Sequence, residues 1–478
     1  MRCMGQLVSL DRHPLAPTFP AMNNHVPTID PHRRPLSMWQ SVQAAQRNVL
    51  EIIPAICYVQ PMITGWMGSR WHMVQDPIAM KRIFLDNADN YPKSEVMNRM
   101  LRPAVGNSLF TAEGAAWRWQ RRAVAPVFAQ RNVVALAPMM TATAERAVDR
   151  LADAGPHEMV AEMLSATFDV ICEVALSGRD HFDADVYGAA ITEYFETVGR
   201  ASLLDFLQVP EWVPRPGHIM GRGSVKTMHA MVSAAIQDRR KQATGKADDL
   251  LDYMLNAEDP KSGRRMSPID LLHNMQFFIV AGHETTALAL SWALYLLATH
   301  PEIQERARTE ARAAIKGKAA TEAELADAPY IRQILDETMR LYPPVGFLAR
   351  TVHEKDVLGG RDVRPKETIF LAVYAMHRHE MWWDKPNDFD PDNFAPEAVA
   401  NRHRYLHIPF GAGPRVCVGA NFAMMQAQII LTTLLAHYRF ETTDRPAPYP
   451  VMTMTVRPEG GVWLKAIPDT PPEGADHS

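Results

Sequence analysis

Cysteine is scarce in this sequence: four in 478 residues (Cys3, Cys57, Cys172 and Cys417), widely scattered and without a C-x-x-C pair. That excludes a disulfide framework and fits a reducing compartment. Neither charge is in excess. Lys+Arg 50 against Asp+Glu 54 gives −4, which excludes nucleic acid as a general partner. Internal repeats, charge blocks and Gly/Ser linkers are lacking too. The length, which alone allows about three average domains, therefore reads as one large domain with a smaller lobe. No secretory leader is legible, because residues 1–35 hold Asp11, Arg12 and repeated prolines in place of an apolar core. The apolar stretch from Val49 to Ile63 is broken by Glu51, Pro54, Gln60 and Pro61, too interrupted to span a bilayer. A soluble, cytoplasmic protein with no membrane anchor is expected.

What the chain does have is a hydrophobic content of 47%, ample for a large core. Residues 1–40 form a proline-rich lead expected to run along the surface, 41–465 one domain, and 466–478 a disordered tail. Met62 to Trp66 and Arg70 to Val74, split by Gly68-Ser69, predict a strand pair. Asp76-Pro77 opens a helix with Asp as N-cap and Pro at N1. Helical periodicity dominates residues 113–315, and short strands appear around Gly359-Gly360 and Thr368–Tyr374. Residues 201–224, with Pro210, Pro214 and Pro216, read as a mobile connection. One helix stands out. Ser267-Pro268-Ile269-Asp270 supplies an N-cap, an N1 proline and an N3 carboxylate, and His300-Pro301 stops the run. About 32 residues at 1.5 Å each span roughly 48 Å, enough to cross a domain. Much of that helix is apolar on every side, which implies burial.

Four motifs carry chemistry. Phe410-Gly411-Ala412-Gly413-Pro414-Arg415-Val416-Cys417-Val418-Gly419 places one thiol in a glycine-rich loop at the mouth of an apolar helix. Unpaired helix N–H groups and the helix dipole favour the thiolate there, and a thiolate is a good metal ligand. Within the long helix lies Ala281-Gly282-His283-Glu284-Thr285-Thr286. Small residues at 281 and 282 admit a flat ligand to the backbone, the threonine can bond back to helix carbonyls and distort the helix, and an acid beside an alcohol can relay protons. Glu337-Thr338-Met339-Arg340 sets an acid and a base on one helix face. Trp117 and Arg121, four apart on a helix expected from Glu113 to Phe128, suit a pair of carboxylates.

In this order, W-x-x-x-R, A-G-x-E-T, E-x-x-R and F-x-x-G-x-R-x-C-x-G, the sequence resembles the cytochrome P-450 superfamily over residues 40–465. Its wording is closer to the fatty-acid-hydroxylase-like branch and to soluble bacterial-type members. The resemblance implies a mainly α fold with a smaller β-rich lobe, and a long central helix over a heme held by the C-terminal cysteine loop. It implies heme b (iron-protoporphyrin IX) with Cys417 as the metal ligand. Trp117, Arg121, Ala281, Arg350, Phe410, Gly411, Arg415 and Gly419 would bind the cofactor, and Glu284 and Thr285 would be catalytic. Glu337 and Arg340 would give structural support. Asn393, in Phe389-Asp390-Pro391-Asp392-Asn393-Phe394, stands where the commoner pattern has arginine, so the support network must close differently.

The implied reaction inserts one oxygen atom from O2 into a small apolar substrate, by hydroxylation or epoxidation. Val345, Phe347 and Leu348 are candidate pocket walls, and residues 95–112 and 201–224 candidate lids. With no flavin or nicotinamide domain after residue 465, electrons are expected from a separate ferredoxin or flavodoxin with its NAD(P)H reductase. Arg121, Arg122, Arg402, His403 and Arg404 would form the docking patch. The alternatives are a peroxide-driven peroxygenase, a heme-thiolate isomerase or dehydratase, and a non-enzymatic heme sensor or binder.

Overall fold

A computed structural model of the protein describes residues 26–153, 155–176, 183–198, 220–241 and 249–468. Its early helices are α1 Met38–Arg47, α2 Pro77–Lys81, α3 Glu95–Val105, α4 Gly114–Val124 and α5 Gln130–Arg150. Then come α6 Met159–Leu176, α7 Ala184–Thr197, α8 Arg222–Lys241, α9 Leu250–Leu255 and α10 Pro268–Thr299. The last are α11 Pro301–Ala314, α12 Pro329–Leu341, α13 Val373–Met376, α14 Pro396–Asn401 and α15 Ala420–His437.

The long helix α10 starts where local chemistry dictates. The Ser267 hydroxyl accepts from the Asp270 N–H at 3.2 Å, the Asp270 carboxylate accepts from the Ser267 N–H at 3.2 Å, and Pro268 occupies N1. Leu288 to Leu297 are buried without exception, so this stretch is a core element on every face. It is long and apolar enough to cross a membrane, but most of its apolar window lies inside the protein. It packs against α3, α6, α8, α12 and α15.

The β lobe is a four-stranded sheet in the order β1-β2-β7-β4. In it, β1 (Met62–Met67) and β2 (Ser69–Val74) form an antiparallel hairpin. β7 (Thr368–Leu371) joins β2 in parallel and β4 (Leu348–Thr351) joins β7 antiparallel. A second core gathers on this sheet around Met80, Ile83, Val352 and Ile369, apart from the larger helical core. Smaller sheets join β3 (Pro156–Glu158), β11 (Trp463–Pro468) and β8 (Tyr438–Thr442), and pair β5 (Asp356–Leu358) with β6 (Arg361–Val363). The hairpin of β9 (Tyr449–Met452) and β10 (Val456–Glu459) wedges against α10. The expected class, mainly helical with a smaller β lobe and a long central helix, is the observed one.

Local differences have physical causes. Val26 and Ile29 are buried and the Pro27 carbonyl accepts from the Tyr342 hydroxyl at 2.7 Å, so this part of the lead is inside the fold rather than along its surface. The expected strand Thr368–Tyr374 ends at Leu371, and Val373–Met376 turns into a short helix. The helix expected to Phe128 tightens at Pro126 into a narrower turn, Ala125–Phe128. Ala466 to Pro468 belong to β11 rather than to a tail. Residues 1–25, 201–219 and 469–478, on which parts of the lead, lid and tail expectations fall, lie outside the described residues.

Candidate active site

The cysteine loop is shaped by backbone that favours glycine. Gly411 and Gly413 have φ of 70° and 67°. A Cβ on Gly413 would stand 1.8 Å from the Phe84 carbonyl oxygen, so the loop lies directly on the π-helical turn Arg82–Asp86. The Cys417 N–H donates to the Phe410 carbonyl at 2.9 Å, and Gly419 caps α15. Cys417 is accessible by area, yet burial dominates its thiol and pushes it up, while the Gly419 N–H and Arg121 pull it down. Both facts hold if the sulfur looks into a cavity inside the protein. The helix terminus therefore does not by itself make a thiolate here; a cation at the sulfur would.

Helix α10 opens one window onto that interior. From Phe278 to Leu297 the positions that are not buried are Ala281, Gly282 and Thr285, which share one helix face. The Thr285 hydroxyl bonds back to the Ala281 carbonyl at 2.9 Å, but the helix runs on without a break, against the expected distortion. A Cβ on Gly282 would meet Ile171 of α6 at 3.0 Å, so this glycine answers helix packing and Ala281 alone keeps the window shallow. Phe128 links loop and helix. It lies 3.8 Å from where a Gly419 Cβ would be, and its ring is 5.2 Å from that of Phe278.

Cations gather at the rim. The Arg415 guanidinium lies 4.3 Å over the Trp117 ring, donates to the Ala112 carbonyl at 3.1 Å and pairs with Glu113. Arg350 on β4 is buried and pushed down to about 10, by burial first and then by Arg415. Lys93, absent from the sequence-based candidates, completes the group. It bridges to Arg350 across the sheet edge, donates to the Phe110 carbonyl, and is pushed down to about 7 by burial, Arg415 and Arg350. Arg121 is depressed by burial and acts on the Cys417 sulfur. Packing so many cations beside one carboxylate costs energy unless anions join them.

Behind the loop, Glu337 and Arg340 are fully buried and joined by two bonds of 2.7 Å. Arg340 also donates to the carbonyls of His377 (2.9 Å), Pro386 (2.7 Å) and Asp388 (2.8 Å). Asn393 closes the network with a neutral donor, its Nδ2 reaching Glu337 Oε1 at 3.2 Å. Arg402 donates to the Asn393 carbonyl at 2.9 Å, so the second cation comes from another position.

Other candidates fall less neatly. The Glu284 carboxylate is buried and bound to Thr455 (2.7 Å) and Arg457 of the β9–β10 hairpin, not directed at the window. Val345 and Phe347 pack on the main core, whereas Leu348 packs on the β-lobe core. Arg122 chelates Asp259 with two bonds of 2.7 Å, and Arg402 stacks on Trp383 and Phe394. His403 and Arg404 are the exposed members of the expected docking patch.

A heme fits these residues. Among the described residues no group of three or more His, Cys, Asp or Glu side chains can hold a metal ion. A lone accessible thiol suits an ion whose other ligands come from a macrocycle. The rim cations match a macrocycle's carboxylates, and the window at Ala281 matches its flat face.

Comparison with known proteins agrees. The cytochrome P450 family profile matches residues 36–465. The chain is 30% identical to cytochrome P450 4F2 of Homo sapiens over 440 residues, 84% of this chain and 82% of that protein. It is 26% identical to cytochrome P450 4c21 of Blattella germanica over 463 residues, 91% and 89% of the two chains. The crystal structure of the cytochrome P450DA heme domain shares the fold, with a TM-score of 0.77 at 24% identity over 87% of this chain and 92% of that one. The chain belongs to the cytochrome P450 family, heme-dependent oxidoreductases that act on an organic substrate with O2 and a source of electrons.

Proposed function

We propose that the protein is a heme-thiolate monooxygenase that converts R–H, O2, two electrons and two protons into R–OH and water. The observation that carries this reading is the accessible thiol of Cys417 in its glycine loop at the start of α15, together with the window at Ala281, Gly282 and Thr285 in the otherwise buried stretch from Phe278 to Leu297 of α10. Cys417 would hold the iron, Phe410, Gly411 and Gly419 would shape the loop around it, and Trp117, Arg121, Arg350, Arg415 and Lys93 would take the heme carboxylates. Bound there, the heme supplies oxygen activation, with the thiolate pushing electron density toward the O–O bond. Thr285 holds a hydroxyl at the window, and Glu284 would supply it with protons on turning inward from Thr455 and Arg457. Val345 and Phe347 would line the substrate side.

Aliphatic substrates, fatty acids first, are the class to screen, as the branch resemblance suggests. A separate ferredoxin or flavodoxin would deliver electrons at a face marked by His403 and Arg404, in a cytoplasmic setting. Reduction with dithionite under carbon monoxide should give the long-wavelength Soret band of a thiolate-bound heme, lost in Cys417→Ser. Thr285→Ala should divert electrons from product. A band typical of histidine ligation, or product per electron unchanged in Thr285→Ala, would overturn the reading.

A further inference from the structure

At one edge of the four-stranded sheet, β1 and β2 set Thr64 directly opposite His72, with both side chains on one face. Thr64 Oγ1 lies 2.9 Å from His72 Nδ1, and His72 Nε2 lies 3.0 Å from Glu367 Oε2, just before β7. Arg70 chelates that carboxylate at 2.7 and 3.1 Å, and the Arg364 N–H donates to it at 2.9 Å. These partners fix where each proton sits. Burial pushes the Glu367 carboxyl up, but Arg70, His72 and the Arg364 N–H outweigh it and hold it below its usual range. It is therefore an acceptor only, and His72 Nε2 carries the ring's hydrogen. Burial pulls His72 down against the lift from Glu367, and Arg70 and Arg361 add to the fall. The ring is thus neutral at pH 7, and its Nδ1 accepts from the Thr64 hydroxyl. Arg361 Nη1 donates to the same Thr64 Oγ1 at 3.1 Å. The His72 side chain is 1% exposed and that of Glu367 11%, whereas Thr64 is exposed. Only the hydroxyl end of this series meets solvent freely. Trp66, two residues on along the same face, has its indole 75% exposed.

We propose that Thr64 is the nucleophile of a second catalytic site, one that hydrolyses esters with an aromatic leaving group. It shares no residue with the cysteine loop or the α10 window and does not rest on the monooxygenase reading. A hydroxyl, an imidazole and a carboxylate bonded in series, each oriented by the next, is the arrangement that activates an alcohol for acyl transfer. Thr64 Oγ1 attacks the ester carbonyl carbon while His72 Nδ1 takes the hydroxyl's proton. Arg361, in contact with Thr64 Oγ1, is placed for the negative charge that the attacked carbonyl oxygen acquires. The bond to the leaving group then breaks, the leaving oxygen takes the proton from His72, and the acyl group stays on Thr64. Water, deprotonated by the same ring nitrogen, cleaves the acyl–Thr64 bond and frees the carboxylic acid, and the proton returns to Thr64. The sum is ester and water to acid and alcohol, and no oxidation or reduction occurs. Glu367 is a positioning residue, holding the ring in the required tautomer and supporting the imidazolium that forms. Trp66 offers its face to the aromatic leaving group.

The test mixes the full heme-loaded enzyme with methylumbelliferyl acetate, follows release of the fluorescent alcohol, and maps acetylated peptides by mass spectrometry. A burst of about one equivalent should precede slower steady release, with the acetyl group on Thr64. Thr64→Val should abolish the burst and Thr64→Ser retain it. Thr64→Val should also keep the wild-type far-ultraviolet and Soret spectra, so that its loss of burst reports chemistry and not unfolding. His72→Gln should slow the burst by about a hundredfold or more. Glu367→Gln should slow it too, and should move the acid limb of the burst's pH profile to lower pH, because the carboxylate that lifts His72 is gone. A merely structural carboxylate would leave that limb in place. A release trace that is the same in wild type and Thr64→Val, acetylation confined to lysines, or a His72→Gln burst as fast as wild type would each overturn the proposal.

Discussion

Lys93 makes the heme cradle testable through pH. Its ammonium is pushed down to about 7 from an ordinary 10.5, chiefly by burial and then by Arg415 and Arg350. Heme carboxylates arriving beside it restore the charged form. Below pH 7 Lys93 is charged before and after binding, so no proton is taken up. Above pH 7 binding must take up one proton, and affinity falls by up to tenfold per pH unit. From pH 7 to pH 9 the loss is about a hundredfold. The same depression acts on folding of the heme-free chain. The unfolded chain binds more protons between pH 7 and 10.5, so Lys93 makes heme-free stability rise with pH across that window. The assay is heme transfer from the loaded protein to an excess of a heme-scavenging protein, followed by Soret absorbance from pH 6 to 9. Lys93→Met should release heme faster at pH 6 and show a flatter profile. A wild-type profile as flat as the variant's would refute the assignment of Lys93 to the cradle.

Three further outcomes follow from the packing. Arg340→Met strands the fully buried Glu337 carboxylate, at about 3–5 kcal/mol, and deprives three carbonyls of their donor. That approaches the whole stability of a domain, so little heme-loaded protein should be recovered, and a normal Soret-to-protein ratio would contradict it. Asn393→Ala removes one of several bonds to the same carboxylate and should cost about 1.5 kcal/mol, read from the urea midpoint with fold and heme content retained. Gly413→Ala puts a Cβ into the Phe84 carbonyl at a φ of 67°, and should lose heme while the helical far-ultraviolet signal persists.

Features set by neighbours along the chain were legible in the sequence. The capping box at Ser267 and Asp270, the N-cap of α2 at Asp76 and the β1–β2 hairpin follow from local chemistry, and each lies where it was expected. The cysteine loop and the Glu337–Arg340 pair were legible for the same reason. What escaped was set by pairing across long separations. Lys93 joins the proposed cradle only because its backbone bridges to Arg350. Glu284 turns from the window because Thr455 and Arg457 lie 171 and 173 residues on. Arg122 is drawn from the expected docking patch because Asp259, 137 residues away, accepts from two of its three guanidinium nitrogens. Gly282 was read as room for a ligand, when the atom that needs the room belongs to Ile171. A charged side chain names its chemistry in the sequence, but its partner is chosen by the fold.

The bridge between Lys93 and Arg350 has a mechanical consequence. Helix α3 starts at Glu95, and its N-cap, Ser94, is pinned to the sheet edge by its N–H to the Ala349 carbonyl at 3.3 Å. At the other end α3 stops at Gly106, φ 53°, which is packed against His273 of α10, and the next residue, Asn107, donates its N–H to the His273 ring at 3.2 Å. Both ends of α3 are thus tied, one to the sheet edge beside Arg350 and the other to the central helix, so a displacement of α3 pulls on both walls of the proposed heme site at once.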